Sequence, residues 1–285
     1  MNDGLLHGTL GGALLAALAP GRYELERFQF GQGEQAMRWP SGIRDVENRM
    51  ALGGFYGFTV ITGKYKLGKS IAAFASAALA AEAGIRVVYV DAELDAMQLA
   101  KRIERFGGAG WWDKHRPGFS LRMLMGPASL QTIVDDIAAQ LEPGTDRVLV
   151  VLDSISRIAE KIDMHGRITP REKGNYTRAI DYWTALAMLI AWCSKIRRME
   201  PTRIGVLATS EENSHGTSKG QKIEYAGDMA LRIKGRADSD IVDVSIPFSR
   251  EGGDGELGPY RREWRSTRFV PQETQLRLVK GEDDF

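Results

Sequence analysis

One eight-residue run of the sequence combines two glycines, a lysine and a serine at a spacing that suits phosphate binding. It fits the pattern G-x-x-x-x-G-K-[ST] and consists of Gly63, Lys64, Tyr65, Lys66, Leu67, Gly68, Lys69 and Ser70. Glycines let backbone amides approach an anion without a clash from Cβ. In such a run Lys69 reaches the outer phosphates and the Ser70 hydroxyl binds Mg²⁺. The run therefore predicts a loop for a nucleoside triphosphate, against the alternative of an ordinary glycine- and lysine-rich surface turn.

Two carboxylates follow short β-rich runs elsewhere in the chain. Asp153 comes directly after residues 148–152, which are apolar at every position, as in buried parallel strands. Because ligands of open α/β sheets bind at the carboxyl ends of the strands, we expect Asp153 to hold the metal ion. Glu93 follows a second such run and is placed to activate a water molecule. Asp91 is a competing candidate for that role, as is Asp95.

Runs typical of strands alternate with segments typical of helices through most of the chain. The predicted strands cover residues 57–62, 86–90, 119–125, 147–152 and 203–208, and the predicted helices cover 70–83, 94–106, 129–141 and 176–199. This alternation predicts βαβ units and a mainly parallel sheet with helices on both faces. Two further strands, 229–234 and 241–248, lack a helix between them, and with a glycine-rich turn at 251–258 they predict antiparallel hairpins. Residues 20–50 and 156–174 are predicted to be loops.

The composition bears on which classes of site are possible. Lys and Arg number 38 against 37 Asp and Glu, a net charge of +1, so bulk charge neither marks nor excludes a nucleic-acid binder. The single cysteine, Cys193, and four scattered histidines predict neither a disulfide nor a cysteine or histidine metal site. No run is long and apolar enough to cross a bilayer. No Lys or Arg precedes Arg22, so a signal peptide is not expected. We therefore expect a cytoplasmic protein without a membrane partner.

The N-terminal segment carries a leucine at every fourth position, at Leu6, Leu10, Leu14 and Leu18. This spacing predicts one apolar stripe on a helix. The helix either packs on its own domain or docks on a neighbouring subunit. We accordingly divide the chain into an N-terminal helix and linker (1–40), a nucleotide-binding domain (41–272) and a C-terminal tail (273–285).

In their order and spacing these motifs resemble the RecA-like P-loop ATPases, in particular the branch that holds the DnaB-type replicative helicases and the RadA-type ATPases. The resemblance extends over residues 41–270, and its most similar pieces are residues 41–43, 54–63, 90–93 and 152–154. It implies an α/β, RecA-like core with a mainly parallel sheet and C-terminal antiparallel β-hairpins. It also implies ATP and Mg²⁺ as cofactors and Glu93 as catalytic base. Thr209 or Ser210 is implied as a sensor of the γ-phosphate or of bound DNA.

The same resemblance implies two basic loops that follow the phosphates of single-stranded DNA. The first loop, residues 157–173, contributes Arg157, Lys161, Arg167, Arg171 and Lys173. The second loop, residues 211–224, contributes Lys219 and Lys222. The alternative for each of these side chains is an ordinary solvated surface charge.

Residues 248–252 resemble a Lys-Asn-Arg-x-Gly pattern whose lysine and arginine reach the γ-phosphate of a neighbouring subunit. Arg250 is kept here, whereas Phe248 replaces the lysine. The resemblance thus implies that Arg250 is a catalytic arginine supplied in trans, because guanidinium stabilises spread transition-state charge. It also implies self-association into a ring or filament, with a hexamer as one form.

The chain ends in three acidic residues and a phenylalanine, Glu282, Asp283, Asp284 and Phe285. This ending resembles the tips of single-strand DNA-binding proteins and of some phage replication proteins, which dock on partners. It predicts a replication protein as partner, against the alternative of a frayed, solubilising end.

The function favoured by these patterns is a nucleic-acid-dependent ATPase that acts on single-stranded DNA in replication or recombination, as a helicase-like motor. A recombination mediator or strand-annealing ATPase without unwinding is one alternative. A KaiC-like or scaffold ATPase that binds protein and no nucleic acid is another. A small-molecule P-loop kinase is disfavoured by Glu93 and by the absence of a recognisable lid segment. A MinD-like ATPase is suggested only by the second lysine, Lys64.

Overall fold

The structure is a computed structural model that describes residues 10–18, 36–50, 52–141, 144–162, 175–212, 223–263 and 268–272. Its helices are α1 (Leu10–Ala16), α2 (Arg44–Arg49), α3 (Lys69–Glu82), α4 (Ala96–Phe106), α5 (Gly108–His115), α6 (Leu130–Ala138), α7 (Ile155–Lys161), α8 (Asn175–Met199) and α9 (Ile223–Ala226). Its strands are β1 (Arg38–Trp39), β2 (Phe55–Tyr56), β3 (Phe58–Gly63), β4 (Arg86–Asp91), β5 (Phe119–Met123), β6 (Val148–Asp153), β7 (Ile204–Glu211), β8 (Met229–Gly235), β9 (Ile241–Ser249), β10 (Gly255–Glu263) and β11 (Arg268–Pro271).

Nine of the described strands form one sheet in the order β11-β10-β9-β8-β3-β7-β6-β4-β5. The strands from β8 to β5 in this order run parallel, and β9, β10 and β11 continue the sheet antiparallel. This is the predicted α/β class with C-terminal antiparallel strands. The carboxyl ends of β3, β4, β6 and β7 therefore meet at one edge, which we call the carboxyl edge, and the opposite edge is the amino edge.

Apolar side chains cover both faces of the parallel strands, which explains why every residue of β6 is buried. Phe74 of α3 packs against Tyr89 and Phe119 on one face, with Phe74–Tyr89 ring centroids 6.0 Å apart. On the other face Val150 shares a second apolar cluster with Trp192 of α8. Burial on both faces holds the strands in fixed positions, so the side chains at the carboxyl edge are attached to a rigid backbone.

Helix α1 packs on the second of these faces. Leu10 and Leu14 are buried in the same apolar cluster as α6 and α8. The Trp192 indole N–H also donates to the Leu14 carbonyl at 3.1 Å. The predicted leucine stripe thus exists within the described part of the segment, and its contacts there are with its own domain.

Two of the predicted loops contain regular structure. Residues 156–174 were predicted to be a loop, but the first part forms α7, which begins after Ser154, whose hydroxyl accepts from the Arg157 N–H. Residues 20–50 were also predicted to be a loop, but α2 lies inside that range. Both helices have fewer than eight residues, so their apolar periodicity is too short to separate them from a loop.

The glycine-rich stretches also differ from the predictions. The helix predicted over residues 94–106 ends at Phe106, before Gly107 and Gly108, but α5 starts directly at Gly108. The predicted turn at 251–258 gives way to β10 from Gly255 onward, paired with β9. Glycine marks a possible break in a sequence, and packing against neighbouring elements decides whether the chain continues in regular structure.

Among the helices of the described ranges, none is both long enough and apolar enough to cross a lipid bilayer.

The packing of α1 predicts a difference between two leucine variants. Leu14 has no exposed surface, whereas Leu52 is 54% exposed. We expect Leu14→Ala to lower the free energy of unfolding by about 2–5 kcal/mol because it leaves a cavity. Leu52→Ala should change it by less than about 0.5 kcal/mol. Urea denaturation measures both, and equal effects would mean that α1 does not contribute to the core of its own domain.

Candidate nucleotide-binding site

The glycine- and lysine-rich run joins β3 to α3 at the carboxyl edge, as its motif predicts. Gly63 is the last residue of β3, and a Cβ there would lie only 2.5 Å from the carbonyl oxygen of Ile233. Lys66 and Gly68 have positive φ angles of 61° and 95°, which turn the chain into the helix. The side chain of Lys69 donates to the carbonyl of Lys64 at 2.8 Å. The run therefore forms a loop that wraps around the side chain of its own Lys69, next to the amino end of α3. We call residues 63–70 the phosphate loop.

This loop has the electrostatics of an anion site. The N–H groups and the dipole of the first turn of α3 favour negative charge. Lys69 is only 9% exposed, and this burial lowers the pKa of its ammonium group. The carboxylates of Glu211 and Asp153 act in the opposite direction and raise that pKa. A phosphate would add a further negative charge beside Lys69 and so favour the charged ammonium.

Asp153 is the polar centre of the site and accepts hydrogen bonds from several elements. Ser70 Oγ donates to Asp153 Oδ1 at 2.9 Å, and Thr209 Oγ1 donates to the same oxygen at 2.6 Å. The Tyr89 hydroxyl donates to Oδ2 at 2.6 Å, and Arg102 Nη1 lies 3.6 Å from Oδ2. Burial and the charge of Asp153 raise the pKa of Tyr89, so its phenol remains a donor. The carboxylate, which is 1% exposed, is thus held in one orientation.

The residues at this point fit a magnesium ion. A hydroxyl and a carboxylate, from Ser70 and Asp153, lie side by side, and Mg²⁺ prefers oxygen ligands completed by phosphates and water. Asp91 is in register with Asp153 on the neighbouring strand. Its Oδ2 atom is buried and has no hydrogen-bond partner among the described residues. The site therefore offers more oxygen than the protein itself satisfies.

Glu93 is held at the same edge by two contacts. Its backbone N–H and that of Leu94 both donate to Asp91 Oδ1 at 2.8 Å. Its carboxylate Oε1 accepts from the Ser154 hydroxyl at 2.7 Å, next to Asp153. The structure thus brings Glu93 beside the phosphate loop with an exposed carboxylate. Asp91 is buried and fixes the turn, and Asp95 caps α4 by accepting from the Gln98 N–H.

The two predicted sensor residues lie on different faces of the sheet. Thr209 faces α3 and contacts the carboxylate of Asp153. Ser210 is buried on the other face, where its hydroxyl lies 3.3 Å from that of Ser156. The next residue, Glu211, ends β7 opposite Gly63 of the phosphate loop. Sequence reasoning missed Glu211 because the predicted strand ends at residue 208, whereas β7 continues to Glu211.

A second polar cluster, also missed, lies on the other side of the phosphate loop. Arg232 forms ion pairs with Glu224 at 2.6 Å and with Glu212 at 3.1 Å. The Thr62 hydroxyl donates to Glu224 at 2.9 Å. Burial raises the pKa of Glu212, and Arg232 opposes that change. We call Thr62, Glu212, Glu224 and Arg232 the Arg232 cluster. Its contacts connect the two glutamates, which flank residues 213–222, to β3, the strand that leads into the phosphate loop.

Arg250 lies at the amino edge of the sheet, away from the phosphate loop of its own chain. Its Nε atom donates to the Gly227 carbonyl at 3.2 Å and lies 3.4 Å from Asp228 Oδ1. Strand β3 spans six residues between the two edges, or about 20 Å. An arginine side chain cannot bridge that distance, so Arg250 does not reach a nucleotide bound by its own chain.

Most of the predicted DNA-contacting residues lie outside the described residues. These are Arg167, Arg171, Lys173, Lys219 and Lys222, together with the tail 273–285. Arg157 lies on α7 rather than in a loop and pairs with Glu160 at 2.7 Å. Lys161 donates to the carbonyls of Ala92 and Leu124. Lys161 thus supports the turn that carries Glu93.

The site predicts a pH dependence of stability in the absence of nucleotide and Mg²⁺. Burial, and secondly the charge of Asp153, raise the pKa of Asp91 from 3.8 to about 6. The folded protein therefore binds this proton more tightly than the unfolded chain, and the resulting stability is lost as pH rises through about 6. We expect wild type to lose about 1–2 kcal/mol between pH 5 and pH 7 relative to Asp91→Asn. Denaturation curves at several pH values measure this, and parallel pH profiles for the two proteins would contradict it.

Comparison with known proteins bears on this site. Residues 46–167, which contain the phosphate loop, Glu93 and Asp153, match the family model described as an AAA domain. No curated protein sequence matches the chain.

Solved structures with a similar fold include a KaiC-like protein from the hyperthermophilic archaeon Pyrococcus horikoshii OT3, at 18% identity and a TM-score of 0.57, covering 82% of this chain and 98% of that one. The ATPase domain of G40P is similar at 16% identity and a TM-score of 0.57, covering 85% and 94%. A DnaB-like replicative helicase is similar at 15% identity and a TM-score of 0.58, covering 85% of this chain but only 64% of that one. Together with the motifs and strand order, these likenesses confirm the predicted resemblance to the RecA-like P-loop ATPases and show that the chain has their fold.

Proposed function

We propose that this P-loop ATPase hydrolyses ATP in response to single-stranded DNA and acts as a helicase-like motor in replication or recombination. The observation that carries the proposal is the convergence at one sheet edge. There the phosphate loop and the carboxylate pair Glu93 and Asp153 lie together with described residues that begin or flank the two predicted basic loops. The structural neighbours add support, since one is a DnaB-like replicative helicase that interacts with primase.

In this proposal each side chain has one task in hydrolysis. Lys69 and the loop amides bind the phosphates of ATP, and Ser70 and Asp153 hold Mg²⁺. When bound, Mg²⁺ supplies positive charge that offsets the charge of the phosphates. Glu93 accepts a proton from the attacking water, and Ser154 keeps the Glu93 carboxylate oriented. Tyr89 and Thr209 are positioning residues because they act through Asp153.

The Arg232 cluster supports communication between DNA and ATP. Its glutamates stand directly before and shortly after residues 213–222, which contain Lys219 and Lys222. Thr62 in the same cluster immediately precedes Gly63 of the phosphate loop. DNA phosphates bound by those lysines would thus act on a stretch of chain whose flanking residues, Glu212 and Glu224, are held beside the phosphate loop. In the first predicted basic loop, Arg157, Arg167, Arg171 and Lys173 would also bind DNA phosphates.

The proposal includes self-association, because Arg250 can serve only a nucleotide on another subunit. A ring, with a hexamer as one form, or a short filament would place the amino edge of one subunit near the carboxyl edge of the next. The acidic tip that ends in Phe285 would dock on a replication protein. A recombination mediator that anneals strands without unwinding would use the same site.

A protein-binding ATPase without a nucleic-acid partner is the second candidate. It is favoured by the likeness to the KaiC-like archaeal protein, which extends over 98% of that chain. It predicts ATP hydrolysis that does not respond to DNA, so one assay separates the two candidates.

We expect single-stranded DNA to raise the rate of ATP hydrolysis by wild type, and the stimulation to weaken as salt rises because phosphate contacts release counterions. Glu93→Gln should lower kcat by about 100-fold or more, since it removes the base. Steady-state hydrolysis with and without DNA at two salt concentrations tests both expectations.

The matched control is Asp95→Asn, which changes a nearby exposed carboxylate that caps α4. It should leave kcat within about twofold of wild type. Hydrolysis that does not respond to DNA would refute the motor and favour the protein-binding ATPase. Full activity in Glu93→Gln would refute the role of Glu93.

A further inference from the structure

A cavity of about 180 Å³ opens at the amino edge of the sheet, on the side opposite the phosphate loop. Its charged lining consists of three arginines and one aspartate, Arg197, Arg198, Arg250 and Asp228. Arg197 and Arg198 come from the last turn of α8, whereas Arg250 follows β9. Elements distant in sequence thus direct their cationic residues to one cavity.

Asp228 organises this cavity. Its carboxylate is almost fully buried and accepts the Phe58 N–H at 2.9 Å. Arg197 Nε lies 2.7 Å from the same carboxylate, and Arg250 Nε lies 3.4 Å from it. One negative charge therefore faces three guanidinium groups, so the cavity has an excess of positive charge.

The uncompensated charge lies on Arg198 and on the outer end of Arg250. Arg250 is 55% exposed in its side chain, and only its Nε atom is bonded within the described residues. Arg198 is exposed and has neither an ion pair nor a hydrogen bond from its side chain among the described residues. Two guanidinium groups with unpaired donors in one cavity suit a multiply charged oxyanion, because each can donate two parallel hydrogen bonds to phosphate oxygens.

Phe248, which replaces the lysine of the resembling pattern, carries no charge and packs against neighbouring side chains. The Arg250 guanidinium carbon lies 5.7 Å from the centroid of the Phe248 ring, a distance typical of a cation–π contact. The ring also packs edge-on against Tyr225 at 5.5 Å. Phe248 thus packs against the Arg250 side chain. The second unpaired cation in the cavity is Arg198 of α8.

We propose that Arg198 is a second catalytic arginine that, together with Arg250, contacts the terminal phosphate of ATP bound by a neighbouring subunit. The inference rests on the proposed inter-subunit ATP site, and it does not depend on DNA as the activator. Both arginines lie on the edge that faces away from their own phosphate loop, so a nucleotide bound by that loop cannot reach them, whereas one bound by a second copy of the chain can. Asp228 and Arg197 hold the site together without contacting the phosphate.

The test compares Arg198→Ala, Arg198→Lys and the control Arg236→Ala, which alters an exposed arginine paired with Asp238. We expect Arg198→Ala to lower kcat about 1,000-fold or more, as loss of an arginine supplied in trans does. ADP affinity should stay unchanged because the subunit's own phosphate loop is intact. Arg198→Lys should recover part of this loss, since the charge remains. The control should match wild type.

A mixing experiment tests whether Arg198 acts in trans. Arg198→Ala subunits keep a complete phosphate loop but lack the donated arginine, whereas Glu93→Gln subunits keep the arginine but lack the base. We expect the mixture to hydrolyse ATP faster than the sum of the two proteins alone. Rates that merely add would overturn the proposal.

Two further results would also overturn it. One is an Arg198→Ala variant with the kcat of wild type. The other is an Arg198→Ala variant that loses affinity for single-stranded DNA but keeps the kcat measured without DNA, since Arg198 would then bind DNA phosphates. A mixture that recovers activity in a protein that DNA does not stimulate would uphold Arg198 and refute the DNA motor.

Discussion

The rest of the site depends on the hydrogen bonds that surround the buried carboxylate of Asp153. A buried charge is costly unless donors surround it. Here donors come from the phosphate loop helix, from β4 and from β7, through Ser70, Tyr89 and Thr209. Each of these donors is in place only if its element packs in register with β6. The apolar layers on both sheet faces therefore do more than stabilise the fold, because they set the distances within the nucleotide site.

The direction of the strands divides the chemistry of the molecule between two edges. Parallel strands bring the phosphate loop, Glu93 and Asp153 to the carboxyl edge. The antiparallel turn back through β9 brings Arg250 to the amino edge, where α8 also delivers Arg198. A protein built in this way has its phosphate loop and its outer arginines about one strand length apart. That separation is the physical reason to expect catalysis between subunits rather than within one.

The sequence predicted the parts of this account that depend on local pattern. The phosphate loop, the parallel strands and the carboxylates at their ends follow from spacing and apolar periodicity, and the structure places Lys69, Ser70, Glu93 and Asp153 together. Contacts between distant segments had no such signal. The Tyr89 bond to Asp153, the Arg232 cluster and the cavity around Asp228 arise only when separate strands are aligned. Short helices such as α7 were missed because too few residues carry a period.

The most direct test of the central role of Asp153 is the Mg²⁺ dependence of nucleotide affinity, measured by calorimetry with a non-hydrolysable ATP analogue. Wild type should bind the analogue more tightly when Mg²⁺ is present. Asp153→Asn should keep the Mg²⁺-free affinity and a folded thermal transition but lose most of the gain from Mg²⁺. An Asp153→Asn protein that folds and retains the full Mg²⁺ effect would contradict the account.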